Sequence, residues 1–443
     1  MPHPSGTFVP IVGNGRYDVI VVGGGFAGVT TAREAARDGR STLLLEARGR
    51  LGGRTWTAPW RGHDIEYGGG WVHWHQPFTF SEITRAGLGV ELSGEPDATA
   101  WYVGDERRTG TIAQRDAIAN AGWVRFVEGV ETSLPNPHDP LHAITRLAAI
   151  DALTIAERVE QLGLDREQHD VLWAELESLA HGPLDEAGAV SVLRWHALSG
   201  YSLALTQYTG GRVTLASGTR GLLEAIASQA PFETRLGTPV AAVRRKGEGV
   251  EIETRAGEVL AARRAVVAVP LNTLAGIEFD PPLSEGKREG IALGQASRGI
   301  KIFIHAEGDP AAQNSIRPGH PFGYLDTEFQ EADGSQIMIG FGYDSSVCDP
   351  TDLAGVQSSL DEIIPGYRAV AATAHDWLAD EFSNGTWAIH RPGWYTHHYA
   401  EMRRPEGRLL LAGSDLAAGW AGFIDGAIET GIRAGMWLRE QPP

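Results

Sequence analysis

Lysine occurs three times in this 443-residue chain, at 246, 287 and 301, so each occurrence is informative. Lys246 in RRKGEG and Lys287 in SEGKREG fall in polar, glycine-broken stretches and read as solvated loop positions. Lys301 is different, because Gly299-Ile300-Lys301-Ile302-Phe303-Ile304-His305 reads as a strand. Strand alternation puts Lys301, Phe303 and His305 on one face and the three isoleucines on the other. An ammonium there either caps a solvent-facing sheet or is enclosed, in which case it needs partners or a lowered pKa. A second group of residues suited to chemistry is Gly23-Gly24-Gly25-Phe26-Ala27-Gly28, which satisfies G-x-G-x-x-G, with Glu46 following 18 residues after Gly28. Gly23 makes the turn, Gly25 admits a pyrophosphate to the backbone, Gly28 lets helix pack on strand, and the acid suits a ribose hydroxyl. An acid at that point disfavours a 2′-phosphate, leaving FAD or NAD.

The elements needed to position these residues are legible around them. Asp18–Val22 is a short apolar run of the kind buried in parallel sheets, Val29 to Asp38 is helical in pattern, and Ser41–Leu45 is a second strand ending at Glu46. The helix start supplies free N–H groups and a positive dipole end for phosphates. Thr238–Val243 and Arg264–Pro270 read as further strands, and spaced apolar residues between Pro140 and Trp195 predict amphipathic helices.

Composition narrows the function classes. The net charge of −18 argues against nucleic acid or an anionic membrane as partner. A single cysteine, Cys348, excludes an internal disulfide and a thiolate metal cluster. His73, His75, His397 and His398 lack the acid ligands of a catalytic zinc site, so no metal is expected. No run approaches the ~18 apolar residues of a membrane span, and the N-terminal stretch lacks a basic region followed by an apolar one. A soluble, cytoplasmic protein is expected. The length predicts two domains.

The segment Glu46-Ala47-Arg48 followed by Leu51-Gly52-Gly53-Arg54-Thr55 continues the nucleotide motif as flavoproteins do, and three later stretches match in order. These are Ile65-Glu66-Tyr67-Gly68-Gly69-Gly70-Trp71, Gly407 to Asp415, and Ala421 to Gly431. From about Tyr17 to Trp437 the chain resembles the flavin-containing amine oxidase family, which holds monoamine, polyamine and bacterial nicotine-pathway oxidases. The resemblance implies an α/β, two-domain protein. Its FAD domain would be Rossmann-like, of the glutathione-reductase type, formed by residues 1–95, 215–290 and 395–443. A discontinuous substrate domain, 96–214 and 291–394, would combine a mixed sheet with helices. The implied cofactor contacts are Gly23, Gly25, Phe26, Ala27, Gly28, Glu46, Ala47, Arg48, Gly53, Arg54, Gly69, Gly70, Trp71, Val240, Ser414, Asp415, Gly422, Phe423 and Ile424.

The family also implies chemistry. Its members carry a strand lysine that reaches flavin N5 through a water, and Lys301 stands at that position as the catalytic candidate. Two aromatic walls orient the amine, here Trp387 and Phe423, with Tyr324 lining the same cavity. The second wall is often tyrosine, and phenylalanine keeps the wall without its hydroxyl. Covalent members place a cysteine just before the first wall; Thr386 stands here, which implies non-covalent FAD. The implied reaction converts a small primary or secondary amine to an imine, hydrolysed to an aldehyde or ketone, with dioxygen reduced to hydrogen peroxide. Rival readings are a nicotine-type cyclic amine oxidase, an L-amino-acid oxidase using Arg194 or Arg391, a dehydrogenase with another acceptor, a desaturase or isomerase, and a non-catalytic FAD-binding protein. Glu177, Ser178 and His73 are open candidates for the cavity wall. Relatives commonly dimerise, so a homodimer is compatible with the resemblance, although no residue marks it.

Overall fold

The computed structural model describes residues 16–209 and 211–440. The N-terminal leader reading and the outermost ends of the expected FAD domain lie outside the described residues. Within them, the strand Arg16–Val22 forms the middle of an eight-stranded sheet. It pairs in parallel with Thr42–Leu45 on one side and Val259–Val267 on the other, and Val267 in turn pairs with Leu411 of the late strand Leu409–Leu411. Val19, Ile20 and Val21 are fully buried, as befits a strand covered on both faces. The antiparallel strands Val240–Lys246 and Gly249–Thr254 extend the sheet.

The helix Phe26–Arg37 crosses the closing helix Ile424–Glu440 at close range. A Cβ on Gly431 would sit 2.6 Å from the Ala27 carbonyl oxygen, and one on Gly435 would sit 2.5 Å from the Glu34 Cβ. These glycines, one helical turn apart, let the two helix backbones approach.

The second sheet has seven strands in the order Arg368–Ala374, Ile300–Glu307, Gln336–Gly342, Tyr324–Gln330, Gln313–Ile316, Ala98–Val103 and Glu106–Gly110. One face carries Ile300, Ile302 and Ile304 against Val356, Leu360 and Ile363 of the helix Leu353–Ile363. The expected alternation holds, and the other face of the strand is also enclosed: Lys301 is 4% exposed and Phe303 1%. The helices Ile144–Asp151, Ile155–Glu160, Arg166–Ala180 and Ala189–Leu198 occupy the stretch where amphipathic helices were predicted.

The other lysines correct the sequence reading in part. Lys246 is exposed, but it ends a strand rather than lying in a loop. Lys287 is not solvated at all. The helix Glu285–Leu293 turns it inward, where it is 1% exposed and pairs with Glu406 at 3.0 Å and with Glu401 at 3.9 Å. A buried ammonium with two carboxylates beside it is a structural ion cluster, which short-range polarity could not reveal.

Candidate active site

A single cavity of about 1270 Å³ runs from the glycine turn to the second sheet. At one end lie Gly23, Gly25, Phe26, Ala27, Glu46, Ala47, Arg48, Gly53 and Arg54. The helix Phe26–Arg37 starts at Gly25 with no side-chain cap and no acid in its first turn. Its first N–H groups are therefore free for an anion. Gly25 and Gly53 face each other bare, since a Cβ on Gly53 would come within 3.2 Å of the Gly25 Cα. Gly28 does not line the cavity; a Cβ there would collide with the Gly23 carbonyl oxygen at 1.8 Å, so its role is the helix–strand packing its place in the motif predicts. Glu46 is 3% exposed and accepts from the Gly24 N–H at 2.6 Å and the Arg48 N–H at 2.7 Å, with lone pairs left for a ligand hydroxyl. This cradle fits an adenine dinucleotide.

Gly69, Gly70, Trp71, Val240, Ser414, Gly422, Phe423 and Ile424 line the same cavity. Asp415 does not. It is 2% exposed, ion-paired to Arg54, and accepts from the Leu271 N–H at 2.8 Å. Asp415 therefore acts on the cavity by holding Arg54, which also donates to the Thr386 carbonyl at 2.7 Å and the Ser414 Oγ at 2.9 Å. Arg48 is held by Asp380 and Ser383.

At the far end stands Lys301. Cross-strand register places Lys301 opposite Phe341, and Phe341 opposite Tyr324, so the three form one row on one face. The Nζ donates to the Gly68 carbonyl at 3.1 Å and lies over the Trp71 ring at 4.4 Å. Burial lowers its pKa to about 8, against the pull of Glu328 and Glu66. Because the folded value lies below the unfolded lysine value near 10.5, the unfolded chain holds more protons between them, and stability rises with pH across that window. In flavin-stripped protein, the stability gap between Lys301→Met and the native chain should therefore shrink between pH 8 and pH 10.5, as followed by urea midpoints. A constant gap would contradict the enclosed ammonium.

Trp387 and Phe423 both line this end and are half-buried. Gly422, at φ +86°, brings the two loops together, since a Cβ on it would lie 3.5 Å from the Trp387 Cβ. Trp387 is fixed by its Nε1 donating to the Leu179 carbonyl at 2.9 Å and by His181, stacked at 4.3 Å with an 8° interplanar angle. The His181 Nδ1 meets the Thr386 Oγ1 at 2.9 Å, and burial pushes this imidazole down to about 4, so it is neutral at physiological pH. Phe423 stands edge-on between Trp195 at 5.2 Å and Trp420 at 5.3 Å.

Other candidates separate cleanly. Tyr324 and Ser178 line the cavity. Glu177 turns away to Trp173 and the Gly319 N–H, and His73 is fully buried beside His75 and Gln76. Arg194 is spent on the Ala418 and Gly419 carbonyls and Arg391 on Glu186, and neither lines the cavity. Sequence reasoning missed a polar wall made by Arg115, Asp116, Glu175, Asn314, Asp326 and Glu328. Burial, with Glu328 nearby, pushes Asp326 up to about 7, and burial also raises Glu328 and Glu175. These residues come from two helices and two strands, and no local motif joins them. Phe341 was missed for the same reason.

Residues 26–435 match the sequence profile of the family described as flavin containing amine oxidoreductase. The chain belongs to that family. FAD is accordingly its cofactor, and the fold is mixed α/β with two domains. It is 36% identical to a pseudooxynicotine dehydrogenase of a Pseudomonas species, over 96% of this chain and 87% of that one. It is 30% identical to an (S)-6-hydroxynicotine oxidase of Paenarthrobacter nicotinovorans, over 94% and 97% of the two chains. Among solved structures, cyclohexylamine oxidase of Brevibacterium oxydans superposes with a TM-score of 0.78 at 20% identity, covering 96% of this chain and 99% of that one. That likeness speaks to the fold. Among the described residues, no helix is long and apolar enough to cross a membrane.

Proposed function

We propose that this family member oxidises the C–N bond of a small amine that carries a second polar group or heteroaromatic ring, giving an imine that hydrolyses to a carbonyl. The observation that carries the reading is the single cavity in which Lys301, Trp387 and Phe423 stand at one end and the glycine cradle at the other. Bound FAD supplies the two-electron acceptor for the α-carbon of the amine. The protein's part is placement and dryness. Trp387 and Phe423 make planar walls that seat the neutral amine and exclude water, and Lys301 presents N–H donors beyond the one given to Gly68. Gly23, Gly25, Arg54 and Ser414 would hold the dinucleotide, without a covalent link. In support, Thr386 precedes Trp387, and the buried Cys348 packs with Val356 and Leu360, away from the cavity.

The polar wall favours the nicotine-type alternative over a plain alkylamine. Asp326, half-buried and pushed up to about 7, carries a proton in part of the population near neutral pH and in that form can donate to a ring nitrogen or a carbonyl remote from the amine. The relatives named for pseudooxynicotine and 6-hydroxynicotine point to the same substrate class. For the amino-acid oxidase reading, Arg194 and Arg391 are otherwise engaged. We take dioxygen as the acceptor, on the family resemblance, although the relatives' names divide between dehydrogenase and oxidase.

The test is the visible spectrum of the purified protein, followed anaerobically while alkyl, alicyclic, arylalkyl and pyridine-bearing amines are added. Bleaching by the pyridine-bearing class, at lower concentration than by simple alkylamines, is the expected result. Rapid recovery of colour on admitting air identifies dioxygen as the acceptor, and slow recovery identifies a dehydrogenase. A flavin that no amine bleaches would end the amine reading, and flavin that stays with acid-precipitated protein would end the non-covalent one.

A further inference from the structure

Lys301 is an enclosed cation whose compensation is unusual. Among the described residues its Nζ makes one hydrogen bond, to the Gly68 carbonyl, and no ion pair. Two carboxylates influence it from a distance. Glu66 is committed to the Thr57 hydroxyl and to the N–H and hydroxyl of Thr219. Burial raises the Glu328 carboxyl against the pull of Lys301, and the two form no ion pair. His181, which also feels the Lys301 charge, is neutral at physiological pH. A buried ammonium so poorly paired would ordinarily give up its proton.

What surrounds the Nζ is aromatic. Trp71 from the glycine-rich segment lies beneath it at 4.4 Å, Phe303 of its own strand at 5.3 Å, and Phe341 of the neighbouring strand at 6.0 Å. All three are within the range at which a ring face attracts a cation, and tryptophan does so best. Trp71 is itself fixed. Its residue bridges Thr214, the Val72 N–H bonds the Val213 carbonyl at 2.9 Å, and its ring packs on Phe341 at 5.7 Å. A Cβ on Gly70 would clash with the Glu66 side chain at 2.9 Å while standing at ordinary contact distance, 3.9 Å, from the Nζ, so the glycine is required by Glu66 rather than by the lysine.

We propose that Trp71 is a positioning residue, which together with Phe303 and Phe341 holds the Lys301 ammonium charged and in place by cation–π contact where a counter-ion would otherwise stand. The aromatic box fixes the direction in which the remaining Lys301 N–H groups point into the cavity. It also opposes loss of the proton.

The scarcity of lysine makes this directly measurable. In holoenzyme grown on lysine labelled with ¹³C at Cε, three side-chain signals are expected, assignable by Lys246→Met, Lys287→Met and Lys301→Met. Titrating the Lys301 signal in the native protein, Trp71→Phe and Trp71→Leu should give a graded fall in its pKa, by about one unit for leucine and roughly half that for phenylalanine. An unchanged Lys301 pKa in Trp71→Leu would overturn the proposal. Should the leucine variant fail to fold, Trp71→Phe and Phe341→Leu carry the same test, and a flat response in both refutes it. The titration needs no substrate, so it stands apart from the proposed reaction. With an amine that bleaches the flavin, Trp71→Leu should lower kcat/KM about tenfold in the native background and leave it within twofold in the Lys301→Met background. Additive losses would mean that Trp71 acts on cofactor or substrate instead.

Discussion

Replacing Lys301 by methionine should lower kcat/KM for amine oxidation by roughly a hundredfold or more, the range expected when a positioned proton-handling group is lost, while the protein still folds and retains flavin. Methionine keeps the length and the apolar stem, so the packing against Phe303 and Phe341 survives. What disappears is the donor set at the Nζ, of which a single N–H is taken up by Gly68. The rest are unclaimed by any hydrogen bond to a described residue, and a methionine thioether supplies no N–H in their place. A fall confined to KM would mean that Lys301 only helps to bind the amine. A fall in the rate of anaerobic bleaching at saturating amine places it in the chemistry. Lys301→Arg should not rescue the rate, because a planar guanidinium is longer and does not fit the niche between Gly68 and Trp71. Activity of the methionine variant within threefold of native would remove Lys301 from the mechanism.

The contrast between Lys301 and Lys287 shows what could be read in advance. Lys301 sits in an element of strict alternation, and once the strand is recognised the face follows from the period of two. Lys287 sits in a short helix whose inward side depends on Glu401 and Glu406, more than a hundred residues away, and nothing near it in the chain announces them. The glycine turn was legible because each glycine answers a local steric demand, as the Gly23–Gly28 contact shows. Trp387 and Phe423 were legible through the family resemblance. The polar wall was not, because Arg115, Glu175, Asn314 and Asp326 meet through helix docking and strand order rather than through spacing. Asp415 is the intermediate case. Its place in the late strand-and-turn motif was readable, but that it reaches the site through Arg54 required the ion pair to be seen.

That ion pair carries the second large effect. Arg54→Met should destabilise the protein by about 3–5 kcal/mol, the cost of leaving a buried carboxylate unpaired, and should also strip it of flavin. Asp415 is 2% exposed. Burial pushes its carboxyl up, but Arg54, the Leu271 N–H and the Ser414 hydroxyl together bring it below the ordinary carboxylate range. A depressed folded value means stability that is fully present above the unfolded pKa near 3.9 and lost as pH falls through the folded value. Arg54→Met abolishes that contribution, so its urea midpoint should fall at pH 7 and differ less from native in acid. Adding Asp415→Asn separates the two roles of Arg54. The amide can keep the Leu271 N–H as donor to its carbonyl oxygen and carries no charge, so the double variant should regain most of the lost stability. It should not regain flavin, since the arginine that lines the cavity at the pyrophosphate end is still missing. Recovery of both stability and flavin in the double variant would show that Arg54 serves Asp415 alone and that the phosphates are held by the helix start at Gly25 without it.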